Sequence, residues 1–214
     1  MDFTETSSRQ RRKEARPAEL AAAALALFVE RGFAATRLDD VAARAGVSKG
    51  TLYLYFDSKE ALFRAVIEES VLPLIDECEA RVEALQDQPV RLLRELLTTW
   101  WVRFGATPLG GTCKLMVAEA GNFPDVAAYF NEAVIGRWGA LLRRVIEAGI
   151  VRGVFRSGSP ELLRQMVFHP LLMQSILQHS MLAGPAGRPL PEPYFDTYFD
   201  FILRGLGAAV PDPS

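Results

Sequence analysis

The sequence predicts an all-α protein of about nine helices, with a three-helix helix-turn-helix unit at the front and a larger helical domain behind it. Apolar residues return at three- and four-residue intervals, the period of a helix with one buried face. From Pro89 onward nothing reads as a convincing strand. Glycine and proline fall between the periodic runs, where helices end.

Met1 to Gln10 is polar and expected to be disordered. Arg9, Arg11, Arg12, Lys13 and Arg16 form a basic cluster, so residues 1–16 read as a partly disordered arm that could lie along a nucleic-acid backbone or dip into a minor groove. A solvated helix start is the alternative. Pro17 suits a first helical turn, and Leu20, Ala23, Ala24, Leu27 and Phe28 then line one face of a helix that stops at Gly32.

Leu38, Val41, Ala42 and Ala45 repeat at i, i+3, i+4 and i+7, which defines the second helix. Thr36 with Asp39 three residues later is a capping-box variant, and Gly46 supplies the positive φ of a tight exit. Ser48 can cap a third helix, Lys49 to Tyr55, anchored by Val47, Leu52 and Phe56. That leaves Lys49, Gly50, Thr51, Tyr53 and Tyr55 outward. A cation and hydroxyls reach phosphates and base edges, and glycine permits close approach, so this surface suits DNA. An ordinary αα-corner would explain the two helices without DNA.

Asp57 or Ser58 caps a fourth helix, Lys59 to roughly Gln86, which Pro73 should kink or split. Its N-terminal amides would favour an anion. Further helices follow over Val90 to Gly105, Cys113 to Ala120, Pro124 to Ala148 with a stop at Gly149, and Ser159 to about Ala183 with a kink at His169-Pro170. A stiff loop, Gly184 to Pro193, precedes the last helix, Tyr194 to Leu206.

Composition excludes several classes. Half of the 214 residues are apolar, so the chain is globular. The apolar runs are shorter than the roughly 20 residues of a membrane span, and no secretory signal is visible. Net charge is −2, divided as +2 over residues 1–64 and −4 over the rest, which fits contact with nucleic acid only at the front. Cys78 and Cys113 fit no C-x-x-C pattern, so they read as buried thiols in a reducing cytoplasm, with no structural zinc. His169 and His179 lie ten apart, and no metal-ligand spacing, phosphate-cradling loop or nucleophile motif is present. No enzyme activity and no cofactor are therefore expected.

The stretch Phe28 to Ile67 closely resembles the N-terminal domain of the tetracycline-repressor (TetR) family of bacterial transcription regulators. The likeness runs about forty residues without a gap. It includes Gly32-Phe33, Thr36, Ala45-Gly46-Val47-Ser48, Gly50-Thr51-Leu52-Tyr53 and Phe56-x-Ser58-Lys59-Glu60.

The resemblance implies a DNA-binding domain over residues 17–64 and an effector-binding and dimerisation domain over 65–214. It implies a homodimeric, cytoplasmic regulator, usually a repressor, on double-stranded palindromic operator DNA. Arg12, Thr36, Ser48, Lys49, Gly50, Thr51, Tyr53, Tyr55 and Lys59 would then face DNA, with Thr36 and Lys59 as phosphate clamps. A small, largely apolar or cationic effector would sit among Trp101, Phe104, Met116, Phe130, Trp138, Phe168, His169 and Met173, where plain core is the competing reading. Leu162, Leu163, Met166, Ile176, Leu177, Phe195, Phe199 and Ile202 would supply a four-helix dimer interface, against the alternative that they face the chain's own core. A dimeric regulator answering to a protein partner or to its own concentration remains open beside the effector-controlled one.

Overall fold

The structure, a computed structural model, describes residues 3–85, 87–181 and 193–208, with side chains from Arg16 onward. Among the described residues every regular element is a helix, and there is no strand. In chain order the helices are α1 (Phe3–Arg31), α2 (Leu38–Arg44), α3 (Lys49–Tyr53), α4 (Lys59–Ser70), α5 (Leu72–Ala84) and α6 (Pro89–Trp100), then α7 (Gly111–Glu119), α8 (Pro124–Phe130), α9 (Arg137–Val151), α10 (Pro160–Gln178) and α11 (Tyr194–Gly205). A π-helical turn, Trp101–Gly105, prolongs α6, and another, Asn131–Gly136, joins α8 to α9.

Most expected elements are present, with informative shifts. Helix α1 begins at Phe3, so the backbone of the expected arm continues the helix. Its residues between Gln10 and Ala15 are largely strong helix formers, and Pro17 removes a single backbone donor. Pro73 lies in the first turn of α5, and the break falls just before it, at Val71. Helix α9 runs past Gly149 to Val151; Gly149 is buried because the Phe155 ring occupies the space where its side chain would be. Helix α10 is continuous through Pro170, and the proline-rich loop from residue 184 to 192 lies outside the described residues.

The chain divides into two compact units, residues 1–73 with 115–130, and residues 74–114 with 131–214. In the first, α1 packs against α4 through Leu20, Ala24 and Leu27 on one side and Leu62, Val66 and Ile67 on the other. Phe28, Phe33 and Phe63 form a fully buried aromatic centre, with ring centroids 5.0 to 6.1 Å apart. Residues 115–130 join this unit because they complete that centre: Phe123 meets Phe33 at 4.7 Å and Phe130 meets Phe63 at 6.2 Å. Glu119 adds a carboxylate that accepts from the Ala34 amide at 3.1 Å.

The second unit buries Leu92, Leu93, Leu96 and Leu97 of α6 with Leu141, Leu142, Val145 and Ile146 of α9. Arg137 binds Glu79 through both carboxylate oxygens, at 3.0 and 2.7 Å, and Asp76 at 2.7 Å. The π turn is held to α10 by Ser175, whose hydroxyl donates to the Gly105 carbonyl at 2.7 Å. His179 sits beside it with its two ring nitrogens 2.8 Å from the Ser175 and Thr107 carbonyls.

Candidate nucleic-acid interface

The interface is built from a tight turn between two short helices. Gly46, at φ +66, closes α2. The Val47 amide donates back to the Ala42 carbonyl at 3.0 Å and the Gly46 amide to Ala43 at 3.2 Å, the paired bonds of a glycine-terminated helix. Ser48 then starts α3, its hydroxyl accepting from the Thr51 amide at 3.1 Å. Leu52 is fully buried and anchors the helix, which fixes the direction of the opposite face.

That face comprises Lys49, Gly50, Tyr53 and Leu54. Gly50 and Leu54 are four residues apart and therefore share one helical edge. Lys49 is exposed and ion-paired with Asp39 of α2 at 2.8 Å, and its ammonium lies 5.9 Å from the centre of the Tyr53 ring. The hydrogen bond to Asp39 raises the pKa of Lys49, which favours its charged form. Ser48 and Thr51 share a hydroxyl contact of 2.8 Å, and Thr51 and Tyr55 are half-buried at the flank. Lys49, Gly50 and Tyr53 thus occupy the outward positions expected of them.

Two expected phosphate clamps do other work. Thr36 is buried, and its hydroxyl donates within 2.7 Å of the Gly32 carbonyl and 3.3 Å of the Leu27 carbonyl, so it ties down the end of α1. It does not cap α2, whose N-cap is Arg37 without a side-chain bond; Asp39, the other half of the expected capping box, pairs with Lys49 instead. Lys59 donates to the Phe33 and Ala34 carbonyls at 2.9 and 3.2 Å, and its ammonium lies 4.7 and 4.8 Å from the Phe33 and Phe123 rings. Its charge is used within the unit. Arg12 has its side chain outside the described residues. Leu54, the most exposed large residue on the third helix's face, is absent from the expected set; its spacing from Gly50 was the signal that could have found it.

The residues expected to hold an effector are drawn from both units. Met116 and Phe130 belong to the first unit, whereas Trp101, Phe104, Trp138 and Phe168 belong to the second, all six being buried. Trp100 packs on Phe168 at 4.9 Å and on Phe104 at 5.6 Å, in the manner of core. His169 and Met173 are exposed on α10 and line no interior. Trp138 is distinctive, because its indole N–H is buried without a hydrogen-bond partner.

The proposed dimer residues separate by helix face. Leu163, Phe199 and Ile202 are buried in the chain's own core, the alternative open to them in the sequence. Leu162 and Met166 are exposed and lie with Met173 along one edge of α10, while Ile176, Leu177 and Phe195 are half-buried. Phe201, three-quarters exposed on α11, was not among the expected residues.

Residues 20–66 match the family model described as bacterial regulatory proteins, tetR family. Over 165 residues the chain is 27% identical to the HTH-type transcriptional regulator EthR of Mycolicibacterium smegmatis, an alignment covering 74% of this chain and 75% of that one. It is 30% identical over 141 residues to the HTH-type transcriptional repressor NicS of Pseudomonas putida, covering 63% of each. Its fold is similar to that of FadR from Bacillus subtilis, solved in complex with stearoyl-CoA. The TM-score is 0.70, covering 88% of this chain and 98% of that chain at 18% identity.

Proposed function

Because the chain belongs to the TetR family of bacterial regulatory proteins, and so is a DNA-binding transcriptional regulator, we propose that it acts as a homodimeric repressor released from a palindromic operator by a small molecule. The observation that carries this reading is the outward face of α3, where Lys49, Gly50 and Tyr53 are fixed by the buried Leu52 behind them and by Asp39 beside them. A single short helix of this kind makes few base contacts. Two copies at fixed spacing read two half-sites about one DNA turn apart and gain affinity jointly.

The exposed apolar edge of α10, with Leu162, Met166 and Met173 each more than half accessible, supports a second copy as the natural cover. For the effector, support comes from the buried, unpartnered indole N–H of Trp138, since such a donor costs about 1 to 3 kcal/mol until an acceptor meets it. The Bacillus subtilis FadR was solved with stearoyl-CoA, which makes a largely apolar ligand the first class to try here, with cationic ones beside it. An effector that prefers the released form by about 1 to 3 kcal/mol would change operator affinity roughly 5- to 150-fold.

One test is gel-shift titration on the DNA flanking the gene. Tyr53→Ala and Lys49→Ala should weaken binding while leaving mass and melting temperature unchanged. Equal affinity for all three proteins would sink the recognition-helix assignment. Binding should also fall steeply with salt as counterions are released. The tight packing of Trp100, Phe104 and Phe168 favours a second reading, a dimeric regulator that takes no small effector. Full operator protection across a broad metabolite panel, with no shift in melting temperature, would decide for it.

A further inference from the structure

Resting on the reading of α3 as the recognition helix, we infer that Leu54 sets base preference by packing against the C5 methyl of a thymine in the major groove. Leu54 is 82% exposed, the residue of a chain whose other leucines are largely put away. It is held in place, since its amide donates to the Gly50 carbonyl at 3.3 Å and it is the helical C-cap of α3.

The surroundings leave this side chain one kind of partner. On its own edge of the helix sits Gly50, which has no side chain to keep a duplex away. Lys49 is drawn toward Asp39 and Tyr53, so its ammonium does not cover the leucine. A side chain with no polar atom can neither bind a phosphate nor form a hydrogen bond to a base edge. The thymine methyl is the apolar group that the major groove offers, and it belongs to one base only. A leucine placed there discriminates thymine from cytosine at one position in each half-site.

The magnitude follows from burial of one methyl-sized group, worth about fourfold in affinity per half-site and roughly 15-fold for a two-headed dimer. The test has two arms, both on the full-length protein. In the first, wild type and Leu54→Ala each select sites from a randomised duplex pool. In the second, each thymine of the selected site is replaced in turn by deoxyuridine, which lacks only the methyl. One symmetry-related thymine pair is expected to lose about fourfold per half-site with wild type and nothing with Leu54→Ala, whose selected sites should be relaxed at the same pair. Because Leu54 is exposed, the variant should melt like wild type. An identical selected sequence for both proteins, a selected site without such a thymine, or an equal deoxyuridine effect on both overturns the inference. Failure of the underlying reading looks different: there the wild type itself enriches no sequence, and this inference falls with it.

Discussion

Replacing Lys59 by methionine separates two roles for one residue. The substitution keeps most of the apolar stem and removes the ammonium. In the structure that ammonium donates to the half-buried Phe33 carbonyl at 2.9 Å and the exposed Ala34 carbonyl at 3.2 Å, and lies within 5 Å of the centres of the Phe33 and Phe123 rings. The half-buried charged hydrogen bond is worth about 1.5 kcal/mol, the exposed one little, and the ring contacts about 0.5 to 1 kcal/mol together. Their sum is about 2 kcal/mol, or roughly 5 °C in melting temperature for a chain of this length. The assay is thermal unfolding at fixed protein concentration, followed by DNA titration at several salt concentrations. Lys59→Met should melt lower and, where folded, keep the salt slope of the wild type. A phosphate clamp behaves in the opposite way: each lost contact flattens the slope by about 0.9, so a dimer would lose about 1.8. Unchanged melting with a flattened slope would refute the internal role.

Three further outcomes are expected. Thr36→Val should cost about 1 to 2 kcal/mol of stability, read as a lower urea midpoint at unchanged slope, because the Gly32 and Leu27 carbonyls lose their donor, while affinity per folded molecule stays constant. Both cysteines are buried, and burial pushes the Cys78 thiol up to about 11 and Cys113 to about 12, so a thiol reagent at neutral pH should label neither in the native protein and both after denaturation. The Arg164 guanidinium holds the exposed Glu161 carboxyl down at about 2, from 4.5. A depressed folded value means that the contribution of this pair is present above about 4.5 and fades as pH falls toward 2; carboxyl chemical shifts should show the low midpoint, and Arg164→Gln should return it toward 4.5.

The reading head was legible because its geometry is local. Ala45-Gly46-Val47-Ser48 dictates a glycine-terminated helix and a serine-capped one within four residues, and both caps form where the sequence places them. The Thr36–Asp39 capping box failed locally, because the Thr36 hydroxyl turns back to the Gly32 carbonyl; the other misreadings were long-range. Nothing in the spacing of Thr36 or Lys59 reveals that carbonyls 9 and 25 or 26 residues earlier in the chain lie within reach, or that Phe123 covers Lys59 from a segment 64 residues further on. An exposed cation or hydroxyl near a helix start looks the same on paper whether it meets phosphate or the chain's own backbone.

The helical periodicity of α10 and α11 shows the other limit. The face that repeats in Leu163, Val167 and Leu171 and the face that repeats in Leu162, Met166 and Met173 are both apolar, so composition marks the helix as buried all round without saying which side the chain itself covers. The structure assigns the first face to the chain's own core and leaves the second accessible. Helix α11 repeats the pattern, with Phe199 and Ile202 inside and Phe201 outside. Two helices of one chain that each keep large apolar groups in water make the same demand on a partner, and substituting the inward residues would unfold the chain before it tested that demand. Met166→Glu and Phe201→Glu are the informative changes: each places a charge on an accessible apolar edge, so if the proposed dimer closes over these edges the mass in solution should halve while the helical signal is kept.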